Sequence, residues 1–186
     1  MKKYLSVVLI LVFCALAIVS CKKKAEPVYS GAVMLYAEVD EGIAKEIKSD
    51  FEQTYKGVVL DYFYGSFDRM KEKISEGYEI DSTPEADVIL LSSKNKMAEI
   101  LSNSWVEPYT SNEDKKVLNE YKNKDGYSPV FLRDKGDNII DEYEIALLKG
   151  ALNKENGELL IDYLLSKKGQ EKLTFLGLQS VRTDVK

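Results

Sequence analysis

The chain has 186 residues, 31% charged and 45% hydrophobic, with 26 Lys and Arg against 31 Asp and Glu, a length that suits one domain or two very small ones. A formal net charge of -5 leaves no basic excess to neutralise a phosphate backbone, so nucleic acid is not an expected partner. The absence of histidine excludes Ser-His-Asp and Cys-His nucleophile activation, histidine-containing zinc sites and any imidazole general base.

Residues 1–20 read as an address. Lys2 and Lys3 form a positive start, Leu5 to Val19 is apolar, and Ile18-Val19-Ser20-Cys21 places a small residue before a cysteine. This stretch resembles the lipobox of bacterial lipoproteins, which implies cleavage before Cys21 and acylation of its thiol and new amino terminus. The alternative is an uncleaved anchor, since the apolar run falls only slightly short of the ~20 residues that span a bilayer. Cleavage would leave 166 residues with 24 basic against 31 acidic side chains, and Cys14 would be discarded. The remaining chain would then be stabilised by its core rather than by a disulfide. Residues 21–30 make a short tether in which Lys22, Lys23 and Lys24 suit either anionic headgroups or a solvated linker.

The domain, residues 31–186, opens with strand and helix in alternation. Ala32 to Tyr36 is an apolar run suited to a buried strand, and Ile43, Ala44, Ile47, Phe51 and Tyr55 recur at helical spacing until Gly57. Val58 to Tyr64 is the next strand, and Gly65-Ser66 leads into a helix carrying Met70 and Ile74, with Gly77 as its expected stop. Ala86 to Leu91 forms a third buried strand, followed by Ser92-Ser93 and a helix through Met97, Ile100 and Leu101. This βαβαβα order predicts a parallel sheet with right-handed crossovers.

The second half is less regular. Trp105 to Tyr109 is extended, and Ser111 or Asn112 can cap a helix through Val117, Leu118 and Tyr121 that Asp125-Gly126 breaks. Tyr127 to Leu132 and Tyr143 to Leu148 are strands around a turn at Gly136. A helix from Lys154 to Leu165 takes Asn153 as its cap, and another after Ser166 runs through Leu173 and Leu176 to Gly177.

Val33-Met34-Leu35-Tyr36, Tyr64-Gly65-Ser66, Ala86-Asp87-Val88-Ile89 with Ser92-Ser93, and Trp105-Val106-Glu107-Pro108-Tyr109, in this order, resemble the start of a bacterial extracellular solute-binding protein, nearest the ferric-iron group of ABC-transporter receptors. Ile145 to Asn153, Ile161 to Glu171 and Val181 to Val185 resemble the carboxyl-terminal part of the same family. The resemblance implies an α/β, periplasmic-binding-protein-like (type II) first lobe, with a mainly parallel sheet flanked by helices. It also implies a small-molecule or metal-ion solute, an ABC transporter permease as partner, and attachment to the membrane through the lipid anchor on the extracytoplasmic face. No cofactor is implied, and no residue constellation points to catalysis.

In the family these two ends are separated by a long segment that builds a second lobe. Here Asp125-Gly126-Tyr127 runs within a few residues to Asp137-Asn138-Ile139-Ile140. Two lobes would need about 100 to 150 residues each on typical domain sizes, so the second lobe is expected to be largely deleted. The adjacent tyrosine pair that ferric-binding members use as ligands falls in the missing segment, and their histidine ligand has no counterpart. Iron(III) remains one candidate among other metals, polyamines and small anions. Removal of a lobe also predicts an apolar patch or a self-association face.

In an open α/β sheet, ligands sit beyond the carboxyl ends of the strands. Those positions are Tyr36-Ala37-Glu38, Gly65-Ser66 and Ser92-Ser93, with Tyr143-Glu144 joining them. Gly65-Ser66 and Ser92-Ser93 can each present backbone N–H groups and a hydroxyl to an anion, or act as ordinary helix caps. Glu38, Asp40 and Glu41 beside Tyr36 suit a cation, a hard metal or an amine. Asp40 and Glu41 more simply favour the helix dipole, which leaves Glu38 as the better ligand. Tyr62, Tyr64 and Trp105 are read as packing residues. Two function classes follow: a lipid-anchored solute receptor, or a non-transport surface lipoprotein that keeps the sheet. An internally deleted product without activity is the third reading.

Overall fold

Strand β1 (Gly31–Ala37) sends Val33, Leu35 and Ala37 into one hydrophobic cluster and Tyr36 into another. A strand alternates its side chains between faces, so this pattern means a sheet covered on both sides. The computed structural model describes residues 28–136 and 140–185. The expected signal segment 1–20, Cys21 and the tether as far as residue 27 lie outside the described residues. No described helix is long and apolar enough to cross a membrane.

After β1 come α1 (Glu41–Thr54), β2 (Val58–Tyr64), α2 (Phe67–Ile80), β3 (Val88–Leu91) and α3 (Lys94–Ser102). Gly57 joins α1 to β2 at φ 103°, where a Cβ would lie 2.3 Å from the Tyr29 carbonyl oxygen, so glycine is required there on two counts. Gly77 does not stop α2. It sits inside the helix, which runs on to Ile80, and a Cβ there would come within 2.7 Å of the Thr83 carbonyl oxygen. Its role is to let the following loop pack closely against the helix.

The remaining elements are β4 (Val106–Glu107), two short 3-10 turns at Asn112–Lys116 and Asn119–Tyr121, β5 (Tyr127–Asp134), β6 (Ile140–Leu148), α4 (Lys154–Leu165), α5 (Lys167–Phe175) and β7 (Gln179–Ser180). The helix expected through Val117 to Tyr121 is divided. Val117 is extended and bridges to Arg182, which draws the chain out of helical geometry. Ser111 still caps, accepting from Glu113 N at 3.1 Å.

The strand order is β2-β1-β3-β6-β5-β7, with β4 also against β6. Pairing is parallel in β2-β1-β3 and antiparallel throughout the rest. The sheet is therefore α/β but less parallel than the βαβαβα half predicts. The β5-β6 hairpin, with Gly136 at φ 83° donating its N–H to Asp134 Oδ1, returns the chain directly into the same sheet.

One face of the sheet packs Val33, Leu35 and Leu60 against Ile47, Phe51, Leu160 and Leu164 from α1 and α4. The other packs Tyr36, Ile89, Leu91 and Leu148 against Met70, Ile74, Met97 and Ile100 from α2 and α3. These side chains are essentially inaccessible, and burying each contributes about 1.5–3 kcal/mol. The result is a rigid three-layer support for the loops at the strand ends.

Candidate functional site

Because β1, β2 and β3 are parallel, their carboxyl ends finish on one edge, and the antiparallel hairpin brings the end of β5 and the start of β6 to the same edge. The edge collects Glu38, Gly65-Ser66, Ser92-Ser93, Arg133 and Tyr143. An open cleft of about 360 Å³ runs there between Glu38, Asp40, Glu41, Tyr64, Gly65 and Arg133. A second, of about 340 Å³, lies between Ser92, Ser93, Asn95, Asp141 and Glu142.

The predicted residues do not all reach these clefts. Tyr36 turns to the opposite cluster, 1% exposed, and its hydroxyl donates to Glu85 at 2.7 Å. Burial and the Glu85 carboxylate both push that phenol well above the ordinary tyrosine range. Ala37 is fully buried. Neither contributes a side chain to the edge, because alternation along β1 commits both to the core.

Glu38 is at the edge but already engaged. One oxygen accepts from Ser92 N at 3.1 Å and from Ser92 Oγ at 2.7 Å, and the other is held by Lys96, which also reaches Ser92 Oγ. Ser93 caps α3, its hydroxyl accepting from Asn95 N at 3.2 Å. Ser66 precedes α2 in an extended conformation, with no capping bond from its side chain, so its hydroxyl is left for other partners. A Cβ on Gly65 would lie 3.3 Å from the Phe63 ring.

Ion pairs occupy most of the remaining charge. Arg133 meets Asp40 at 2.8 Å, Lys45 meets Glu41 at 2.6 Å, and Lys94 meets Glu142 at 2.9 Å. Tyr64 donates to Glu41 at 3.0 Å, and Lys45 and Tyr64 together hold the Glu41 carboxyl below its usual range. Tyr143 is buried and stacks on Phe131 with ring centroids 4.4 Å apart. Tyr64 and Ile140 are exposed at the edge, but the cleft lining is mainly charged, so these residues do not form the expected apolar patch. Trp105 packs by stacking on Tyr78, as its sequence context suggested.

Glu144 differs from every other acid here. It is fully buried, and neither carboxylate oxygen has a hydrogen-bond partner. Burial first, and then the neighbouring Glu142 carboxylate, push its pKa up to about 7. Among the described residues, no group of three or more Cys, Asp or Glu is placed to hold a metal ion.

The arrangement brings in residues that the sequence reading passed over: Lys94, Lys96, Arg133 and Glu142. Lysine-rich helix faces read as solvated, yet Lys94 and Lys96 follow Ser92-Ser93 directly on the first turn of α3 and so stand at the edge. That placement was the available clue.

The same architecture occurs in solved structures. The periplasmic binding protein AfuA from Actinobacillus pleuropneumoniae, with fructose-6-phosphate bound, superposes with a TM-score of 0.71 at 14% identity, the match covering 84% of this chain and 87% of that one. Iron-bound HitA from Pseudomonas aeruginosa gives 0.71 at 11% identity, covering 86% and 88%. The fold is that of the periplasmic binding proteins. Ferric iron-binding protein A from Mannheimia haemolytica, in an open conformation, gives 0.67 at 12% identity, covering 84% and 87%. The sequence matches no family model and no curated protein. In this periplasmic-binding-protein fold, the edge described above is the place where an open α/β sheet receives ligands.

Proposed function

We propose that the chain is the solute-binding component of an ABC-type importer, held to the extracytoplasmic face of a membrane through Cys21, and that it works with a single lobe. The observation that supports this best is the convergence of Glu38, Ser66 and Ser92 on one sheet edge in a fold shared with solute-binding proteins. The solute is small and charged, because the lining is. Iron(III) stays among the candidate solutes by likeness to the iron-bound receptor, beside other metals, polyamines and small anions. A transporter permease and the lipid bilayer are the partners this reading requires, with a second copy of the chain as a way to complete the cleft.

A specific observation also favours a second reading, a surface lipoprotein that binds a protein partner and has lost its solute. Glu38, Asp40 and Glu41 each already hold an internal cation. A ligand would have to displace one of them.

Thermal unfolding of the full chain with ferric citrate, divalent metals, polyamines and phosphate separates the two. A ligand specific to the folded state adds about 2.7 kcal/mol at a hundred times its Kd. A saturable rise in Tm that Ser66→Ala or Glu38→Ala removes supports the receptor. A cooperative transition unmoved by every compound supports the protein-partner reading.

A further inference from the structure

The amino ends of β1, β2 and β3 meet at the edge opposite the clefts, and the antiparallel β6 finishes there as well. Three loops close this edge. The segment before β1 is tied to α4 by Asn156 Nδ2, which donates to the Ser30 and Ala32 carbonyls at 3.2 and 3.0 Å. The turn after β6 is tied to α2 by the Tyr78 hydroxyl, which donates to the Lys149 carbonyl at 2.7 Å. The loop after α2 packs on that turn, since a Cβ on Gly150 would lie 3.5 Å from the Ser82 carbonyl oxygen.

Each loop presents a large apolar side chain to solvent: Val28 is 94% exposed, Ile80 78% and Leu152 75%. Among the described residues only Phe175, at the end of α5, is a large apolar side chain as open as these. Single exposed apolar residues are ordinary. Three on adjoining loops of one edge make a contact face, and the solute clefts do not use it. Charge there is mixed, with Lys56 and Lys149 exposed beside Asp81 and Glu155, so apolar contact rather than headgroup attraction would orient the face.

The length of the tether says what covers it. Cys21 precedes Val28 by seven residues, which reach at most about 25 Å. A lipid anchor at Cys21 therefore holds this edge close to the bilayer. Turning the domain over would require the tether to run back along β1, about 20 Å long, and would exhaust it. We propose that Val28, Ile80 and Leu152 enter the headgroup region, so that the amino edge rests on the membrane and the clefts face away from it while no permease is engaged. This rests on the anchor of the receptor reading and adds the direction in which the anchored domain faces.

Tryptophan quenching tests this on the full chain, recovered from membranes with its anchor and reconstituted into phosphatidylcholine vesicles whose lipid is brominated near the headgroup. Trp105 is the protein's one tryptophan, and its stack on Tyr78 gives a fixed background. Ile80→Trp and Leu152→Trp each add a ring at the amino edge, and Tyr64→Trp adds one at the carboxyl edge; all three replace exposed side chains, so the fold is kept. The added emission of Ile80→Trp and Leu152→Trp is expected to be lost to the brominated lipid at low and high salt alike, and that of Tyr64→Trp to be retained. If the protein floats with the vesicles while Ile80→Trp and Leu152→Trp keep their emission, the anchor stands and the orientation falls. If those two variants are shielded from aqueous acrylamide yet untouched by the brominated lipid, a second copy or another protein covers the edge, which overturns the proposal. Loss of emission in Tyr64→Trp, alone or equally with the others, also overturns it. If the protein does not float, anchor and orientation fall together.

Discussion

The carboxylate of Asp87 accepts from the backbone N–H of Asn153 at 2.8 Å and from its side-chain amide at 3.1 Å, while also accepting from Met34 N at 2.8 Å. A buried acid thereby ties β1, β3 and the entry of α4 together, three segments far apart in sequence. Asn153, placed by the sequence as the cap of α4, makes no side-chain capping bond and spends its amide on Asp87 instead. Asp87→Ala would leave the N–H groups of Met34 and Asn153 without acceptors in a site 2% exposed. A loss of about 3 kcal/mol is expected, read as a lower midpoint in denaturant with an unchanged slope. Asp87→Asn, which keeps the shape and one acceptor, should lose less.

Gly157 lies in α4 where the helix rests on the sheet. A Cβ at this position would fall 2.6 Å from Leu147 Cδ1 and 3.2 Å from Val88 Cγ2. Helix propensity alone favours Gly157→Ala by about 1 kcal/mol, but overpacking a fully buried contact costs about 1–3 kcal/mol. Packing should win, and Tm should fall. An increase would mean that α4 can lift from the sheet more easily than this contact suggests.

The outer edge of β2 is closed by two side chains from α1. Leu60 donates its N–H to Glu52 Oε1 at 2.9 Å, and its carbonyl accepts from Lys48, which is itself 2.8 Å from Glu52. β2 ends the sheet, and an open edge strand invites pairing with another chain. The double variant Lys48→Ala, Glu52→Ala should therefore self-associate more readily, seen as larger species by light scattering at concentrations where the unaltered protein stays uniform. Bonds from Lys48 and Leu60 hold the Glu52 carboxyl below its usual range, so the seal is present above that range and weakens on acidification.

Glu144 should leave a signature in stability against pH. Its carboxyl is raised from 4.5 to about 7 in the folded protein, so the native state holds a proton that the unfolded chain releases first. Stability then falls as pH rises through that window, and the full penalty is present above it. Glu144→Gln should flatten this limb and raise Tm above about pH 7 by on the order of 5 °C. A wild-type profile that is flat across the window would show that the carboxyl is solvated after all.

Much of the secondary structure was legible because its causes are local. Apolar runs such as Val88 to Leu91 and the spacing of Ile43, Ile47 and Phe51 recur within a few residues, and Gly57 and Gly177 mark real chain reversals at φ 103° and 84°. Gly77 misled because a glycine can be chosen for a neighbour's closeness as well as for its own backbone freedom. Here the neighbour was Thr83, folded back against the helix.

The site was legible only in outline. The βαβαβα order by itself determined which loops end at the carboxyl edge of β1, β2 and β3. Tertiary structure alone decided what those loops hold, because contacts made across the sheet have no trace in nearby sequence. Lys96 reached Glu38, Arg133 reached Asp40, and Tyr36 turned to the far face with Glu85. The antiparallel return of β6 beside β3 buried Glu144 away from any donor. Local periodicity fixes the direction in which each side chain leaves its own strand, but only the packed sheet fixes which charge it meets there.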